Sequence, residues 1–330
     1  LTSYAQKRLW FLDQFEPGQC VYNVPAVVRL EGHLDVQALR QALGSLTERH
    51  EALRTGFGSL DGEPVQLINT VAGEIPWDEV NLSDLPESRR RQEFEKEADE
   101  EGRRSFDLSR SPLWRARLVR MSKTEHVLLW TIHHIVVDAW SLRLLRSELG
   151  ELYESIVEER APVLPALRVH YADFALWQRD YLNGPELESQ LKYWKKHLAG
   201  APPMLDLATD HIRPATQSYR GRRVSVRIEA ETLEKLQALS FDEGSTLFMS
   251  LLAIYQVLLS RYTGQDEIVV GSPIANRTRT EFEGLAGFFA NTLALSGDLS
   301  GDPTFREFLA RTRKTALGAY GHQDVPFEKL

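Results

Sequence analysis

The stretch Val127-Leu128-Leu129-Trp130-Thr131-Ile132 constrains the fold of this chain more than any other. Successive residues of a strand face opposite sides of a sheet. A run that is apolar on both sides is therefore a strand covered on both faces, and its place is in the middle of its sheet. It runs straight into His133-His134. A buried strand thus carries two imidazoles to its end, where a loop begins, and strand ends beside loops are where reactive groups meet substrate.

The rest of the chain alternates helices with strands. Helical spacing of apolar residues predicts helices over 4–15, 34–50, 141–159, 171–182, 185–198, 246–262 and 304–320. A highly charged helix is expected over 87–102, with Arg89 and Glu93, and Arg91 and Glu95, four apart for intrahelical pairing. Strands are expected over 24–30, 65–68, 113–120, 127–132, 221–228 and 268–271. The expected class is a mixed α/β chain without short repeats. Its 330 residues suffice for two lobes. The segment Pro162-Val163-Leu164-Pro165-Ala166-Leu167 reads as their connection, which divides the chain into 1–165 and 166–330.

Composition narrows the function. The formal net charge is −8 and no long Lys/Arg run occurs, which argues against a nucleic-acid partner. The apolar stretches fall short of the ~20 residues that span a bilayer, and Leu1-Thr2-Ser3-Tyr4 is no signal peptide, so no membrane role is expected. The single cysteine, Cys20, has no internal disulfide partner, which fits a reducing, cytoplasmic compartment. No catalytic motif surrounds it.

Neutral imidazole is the commonest general base near pH 7. Because neighbouring strand residues diverge, His133 and His134 have different tasks, one facing the reaction and one facing packing; periodicity leaves open which. The same divergence argues against a shared metal ion, and no Cys/His cluster completes a shell. Asp138 stands four residues after His134, placed either to orient an imidazole or to pair with a distant arginine. No nucleophile elbow, dinucleotide turn or P-loop accompanies the pair. Two adjacent histidines alone would equally suit a buried strand with satisfied rings.

Several segments together resemble a known family. His133-His134-Ile135-Val136-Val137-Asp138-Ala139-Trp140-Ser141 is similar to the His-His-x-x-x-Asp-Gly signature of the condensation domains of nonribosomal peptide synthetases. Coenzyme-A-dependent acyltransferases share that signature, but five further segments match in the family's order: Ser3 to Leu12, Arg49 to Thr55, Tyr171 to Gln178, Gly287 to Leu293 and His322 to Glu328.

The resemblance implies two chloramphenicol-acetyltransferase-like lobes in a V-shaped pseudo-dimer, the second truncated at its C-terminus because a final motif is missing. It implies amide-bond formation between a donor acyl or peptidyl thioester and the amine of an acceptor. Both are carried on the phosphopantetheine arms of donor and acceptor carrier proteins, beside an adenylation domain, and the domain binds no cofactor of its own. His134 is the implied catalytic residue and His133 its structural neighbour. Asp138 is implied to pair with Arg277 from the second lobe, while Trp140 and Ser141 complete the signature and Asn291 lines the site. Ala139 departs from the family's Gly. The alternatives are a coenzyme-A-dependent O- or N-acyltransferase and a catalytically silent module that binds carrier proteins.

Overall fold

Side-chain caps set the helix starts. Ser3 and Gln6 form a reciprocal capping box, Asp35 accepts from the Ala38 amide and Thr304 pairs with Glu307. Gly264, with φ of 70°, closes the apolar helix Leu247–Thr263 in the left-handed conformation that glycine adopts without cost. The computed structural model describes every residue except 72, 213, 215, 216 and 220.

In chain order the elements are α1 (Tyr4–Phe15), β1 (Asn23–Glu31), α2 (Val36–Arg49), β2 (Thr55–Leu60), β3 (Glu63–Ile68), β4 (Trp77–Asn81), α3 (Glu87–Arg103), β5 (Trp114–Arg120) and β6 (Glu125–His133). There follow α4 (Ala139–Val157), α5 (Tyr171–Tyr181), α6 (Pro185–His197), α7 (Ala230–Asp242), α8 (Leu247–Thr263), β7 (Glu267–Ile274), α9 (Thr280–Glu283), β8 (Asn291–Asp298) and α10 (Phe305–Tyr320). The chain is mixed α/β, as its residue pattern predicts.

Two compact units result. Leu1–Tyr181 with Ala275–Ala290 form the first, and Leu182–Ile274 with Asn291–Leu330 the second. The first change of unit falls after Tyr181, not after residue 165, because Tyr171 and Phe174 of α5 are buried in the first unit's core. Ala275–Ala290 joins that unit too: Phe282, Leu285, Phe288 and Phe289 enter the same core.

The first unit is built on a sheet of order β1-β6-β5-β4, with β6 antiparallel to both neighbours and β4 parallel to β5. The run Val127–Ile132 is thus an inner strand, buried at every position, while β1 alternates partly buried with exposed residues. Trp114 and Trp130 meet edge to face at 6.3 Å beneath α2 residues Leu43 and Leu46. The β2–β3 hairpin turns through Asp61 and Gly62, both at positive φ, as a two-residue hairpin requires.

In the second unit β7 and β8 pair antiparallel, Ile274 opposite Asn291, and α8 and α10 supply the main helical packing. The strand expected over 221–228 is not formed. Val224 and Val226 alternate as a strand would, but they are 79% and 86% exposed, and no strand hydrogen-bonds this stretch among the described residues. Alternation specifies a face; a strand also needs a backbone partner. No single helix among the described residues is long and apolar enough to cross a membrane.

Candidate active site

The central strand ends at His133 and the chain tightens into a 3-10 turn, His134–Val136, before α4 starts. This switch of backbone separates the two imidazoles. His133 is 3% exposed, edge-on to Phe106 at 6.0 Å and to Tyr22 at 6.3 Å, and its Nδ1 accepts the Ile135 amide at 3.2 Å. Burial, reinforced by neighbouring His134, pulls its pKa from 6.5 to about 3, so the ring is neutral.

His134 is half-buried, and its amide donates to the Tyr22 carbonyl at 2.8 Å. The ring lies against Phe288 with centroids 4.5 Å apart. Among the described residues its Nδ1, sealed from solvent, has no hydrogen-bond partner, whereas Nε2 is neither sealed nor engaged. Nε2 is therefore the nitrogen through which this ring can exchange a proton.

Asp138 does not complete a triad with it. Its carboxylate caps α4 by accepting the Ser141 amide at 2.7 Å, accepts the Phe289 amide at 3.1 Å, and pairs with the Arg277 guanidinium at 3.2 Å. Both side chains of the pair are nearly sealed, 3% and 2% exposed. Arg277 also donates to the carbonyls of Phe282 and Leu285 and to Ser141 Oγ, and lies over the Phe289 ring at 4.0 Å. Burial lowers its pKa and Asp138 opposes that shift. The pair lies inside the first unit. The resemblance implies an arginine from the second lobe, but residues 275–290 share the core that holds Asp138.

Ser141, fully buried, binds Gly287 twice: its hydroxyl donates to the Gly287 carbonyl at 2.8 Å and accepts the Gly287 amide at 3.1 Å. Trp140 Nε1 donates to the Glu283 carbonyl at 2.9 Å. Ala139 is exposed at the first position of α4 and does not take positive φ, so the methyl group in place of glycine adds no backbone strain. Asn291 belongs to the second unit, where its amide is spent on the carbonyls of Gln323 and Val325, at 2.8 and 2.7 Å, and on the Phe327 amide at 3.1 Å. His133, Asp138, Trp140, Ser141 and Arg277 thus gather around the turn that carries His134, and Asn291 anchors a different segment. Residue patterning does not single out Ser3, Gln6 or Phe288; each sits in a matched motif, which is the only sequence signal for them.

The Condensation domain family model matches residues 1–330, the whole chain. A linear gramicidin synthase of Brevibacillus parabrevis is 50% identical over 329 residues, 99% of this chain and 6% of that protein. Phosphinothricin tripeptide synthetase PhsC of Streptomyces viridochromogenes is 42% identical over 99% of this chain and 30% of its own length. The crystal structure of the X-domain from teicoplanin biosynthesis superposes with a TM-score of 0.88 at 31% identity, covering 99% of this chain and 72% of that one. This chain belongs to the condensation-domain family, whose members in peptide synthetases are amide-bond-forming acyltransferases. It spans less than a third of the length of those two curated relatives.

Proposed function

We propose that this chain joins the amine of a carrier-bound aminoacyl group to a carrier-bound acyl or peptidyl thioester, with His134 as the reacting side chain. Donor and acceptor carrier proteins deliver both groups on phosphopantetheine arms, with an adenylation domain in the same cytoplasmic assembly line. One observation carries the reading. His134 is braced at a strand end with one nitrogen sealed and only Nε2 open, while Asp138, the carboxylate nearest in sequence, is committed to Arg277.

The chemistry suits that arrangement. A thioester is already activated, and an α-amine with pKa of about 7.7–8.0 is partly neutral at pH 7. Attack needs alignment and removal of a proton from the nitrogen as the adduct forms, not a strengthened nucleophile; collapse of the adduct breaks the C–S bond, and the donor's phosphopantetheine sulfur leaves as the thiol. His134 Nε2 takes that proton or holds the amine by it. A positioned base contributes ~10²–10⁴-fold, and alignment of two tethered substrates can supply effective molarities of ~10⁵ M.

The test is condensation between loaded carriers in the full-length protein. His134→Ala is expected to lower turnover by ~10²–10⁴-fold while the fold survives. An unchanged rate removes the assignment. A second reading, docking without turnover, has one observation in its favour: a solved relative, 31% identical with a TM-score of 0.87, is a complex of the X-domain and OxyB from teicoplanin biosynthesis. Carrier binding without product would establish that reading, and transfer from free acyl-coenzyme A would establish an acyltransferase of the coenzyme-A type.

A further inference from the structure

The capping box of α1 makes more bonds than its helix needs. Ser3 Oγ accepts the Gln6 amide and Gln6 Oε1 accepts the Ser3 amide, both at 3.1 Å, which completes the cap. Each side chain still has a donor. Gln6 Nε2 gives its proton to the Ile135 carbonyl at 3.2 Å, inside the turn that begins at His134. Ser3 Oγ lies 2.8 Å from Tyr171 Oη, and Tyr171 Oη lies 2.5 Å from the Phe288 carbonyl. A carbonyl cannot donate, so the direction is fixed: Tyr171 donates to Phe288, and Ser3 donates to Tyr171.

Both extra bonds end beside one imidazole. Ile135 follows His134, and the Phe288 ring is the surface against which His134 packs. Ser3, Gln6 and Tyr171 are 0%, 1% and 2% exposed, so water cannot replace a lost partner. The backbone at Gly287 lies directly on the Tyr171 ring: a Cβ at Gly287 would fall 1.9 Å from Tyr171 Cδ2. The hydroxyl is therefore held at its carbonyl by packing as well as by the bond.

We propose that Ser3, Gln6 and Tyr171 are positioning residues for His134. Gln6 fixes the turn that carries the ring, and Ser3, acting through Tyr171, fixes the Phe288 ring braced against it. The inference rests on His134 being the reacting residue.

Two variants of the full-length protein test it. Tyr171→Phe removes one hydroxyl. Gln6→Glu keeps the cap, because Glu is the usual partner at that position, and replaces the donor facing Ile135 with an acceptor. Each is expected to lower kcat by roughly three- to tenfold, the scale of one hydrogen bond, with KM for the loaded carriers unchanged. Each is also expected to shift the His134 ring-nitrogen resonances in 15N-histidine-labelled protein, and to add no further loss to His134→Ala. Unchanged ring resonances in both folded variants, or the same loss in the His134→Ala background, would overturn the proposal. If His134→Ala alone leaves the rate intact, the catalytic assignment fails, and the ring resonances still decide whether these residues position the imidazole.

Discussion

Asp138 uses one carboxylate to cap a helix, to hold the Phe289 amide and to neutralise Arg277. Such a pair is worth little against an apolar replacement, because desolvation offsets its attraction, but removing one member strands a buried charge. Asp138→Ala and Arg277→Ala are each expected to cost about 3–5 kcal/mol in urea unfolding, and the double variant less than their sum. Asp138→Asn, which keeps an acceptor for the Ser141 amide, is expected to be milder than Ala. Additive losses would show that the two side chains act independently. His133 ties stability to pH. Its folded pKa of about 3 lies below the ordinary 6.5, so its contribution is complete above pH 6.5 and is lost as pH falls towards 3. Between pH 6.5 and 5 that loss is about 2 kcal/mol. His126 and His197, whose pKa values burial also lowers, add in the same direction and remain in the variant. His133→Asn is therefore expected to have a shallower stability slope than the parent over this range, and equal slopes would contradict a buried neutral imidazole. At this scale the sequence names what a motif contains: Asp138 and Arg277 emerge from motif order and meet at 3.2 Å. It does not name partners whose only link is tertiary. Ser141 with Gly287, or Tyr171 with Phe288, lie more than a hundred positions apart, and no periodicity joins them.

Among the elements, those legible in the sequence are those whose own residues decide them. The inner strand β6 is apolar on both faces, and α2, α4 and α8 carry apolar residues at helical spacing. Three strands are not legible: β2, whose Gly56 and Gly58 are poor strand residues, β4, whose short Trp77–Asn81 run carries Asp78, Glu79 and Asn81, and β8, whose place depends on pairing with β7. The interval 221–228 fails in the opposite sense, since its alternation finds no pairing strand among the described residues. Partnership also explains how β7 and β8 are held. Gln256 of α8 is fully buried, and its Nε2 donates to the Ile268 and Leu295 carbonyls, at 3.3 and 3.1 Å, one on each strand. A Cβ at Gly297 would sit 2.6 Å from Gln256 Oε1, so the glycine is what lets the amide reach both strands. Gln256→Leu is expected to cost about 1–3 kcal/mol by leaving buried carbonyls short of a donor. Amide hydrogen exchange in β7 and β8 should quicken in that variant, while exchange in β5 and β6 stays as it was. Unchanged exchange in β7 and β8 would mean that strand pairing alone holds them.

Across the whole molecule the two units differ in how much apolar surface they bury. The first has a large contiguous core that runs from Leu9 through the tryptophan pair to Phe289, with a smaller cluster around Val119 and Leu129, whereas the second is divided between two small clusters. The helix α8 shows the contrast. Met249, Leu252, Ala253 and Leu259 are buried on one side, while Phe248, Leu251, Ile254, Tyr255, Leu258 and Tyr262 form an exposed apolar stripe on the other. A helix apolar all round ordinarily lies inside a core, so the stripe is apolar surface of α8 that this unit leaves uncovered. Burial is the main favourable term in folding, so the second unit should open first. Tryptophans are placed to report it. Trp194 is the only one of the seven in the second unit; it is 1% exposed and donates to the His322 carbonyl at 2.8 Å. Trp114 and Trp130 lie in the first unit's core. With 5-fluorotryptophan incorporated into the 330-residue chain, the Trp194 resonance, assigned by its loss in Trp194→Phe, is expected to reach its unfolded position at lower urea than those of Trp114 and Trp130. A dye that binds exposed apolar surface should report the stripe before any urea is added, and Leu258→Lys should weaken that signal without lowering the Trp194 midpoint. Coincident midpoints for all three resonances would mean that the two units unfold as one, and that the exposed face of α8 costs the second unit nothing in stability.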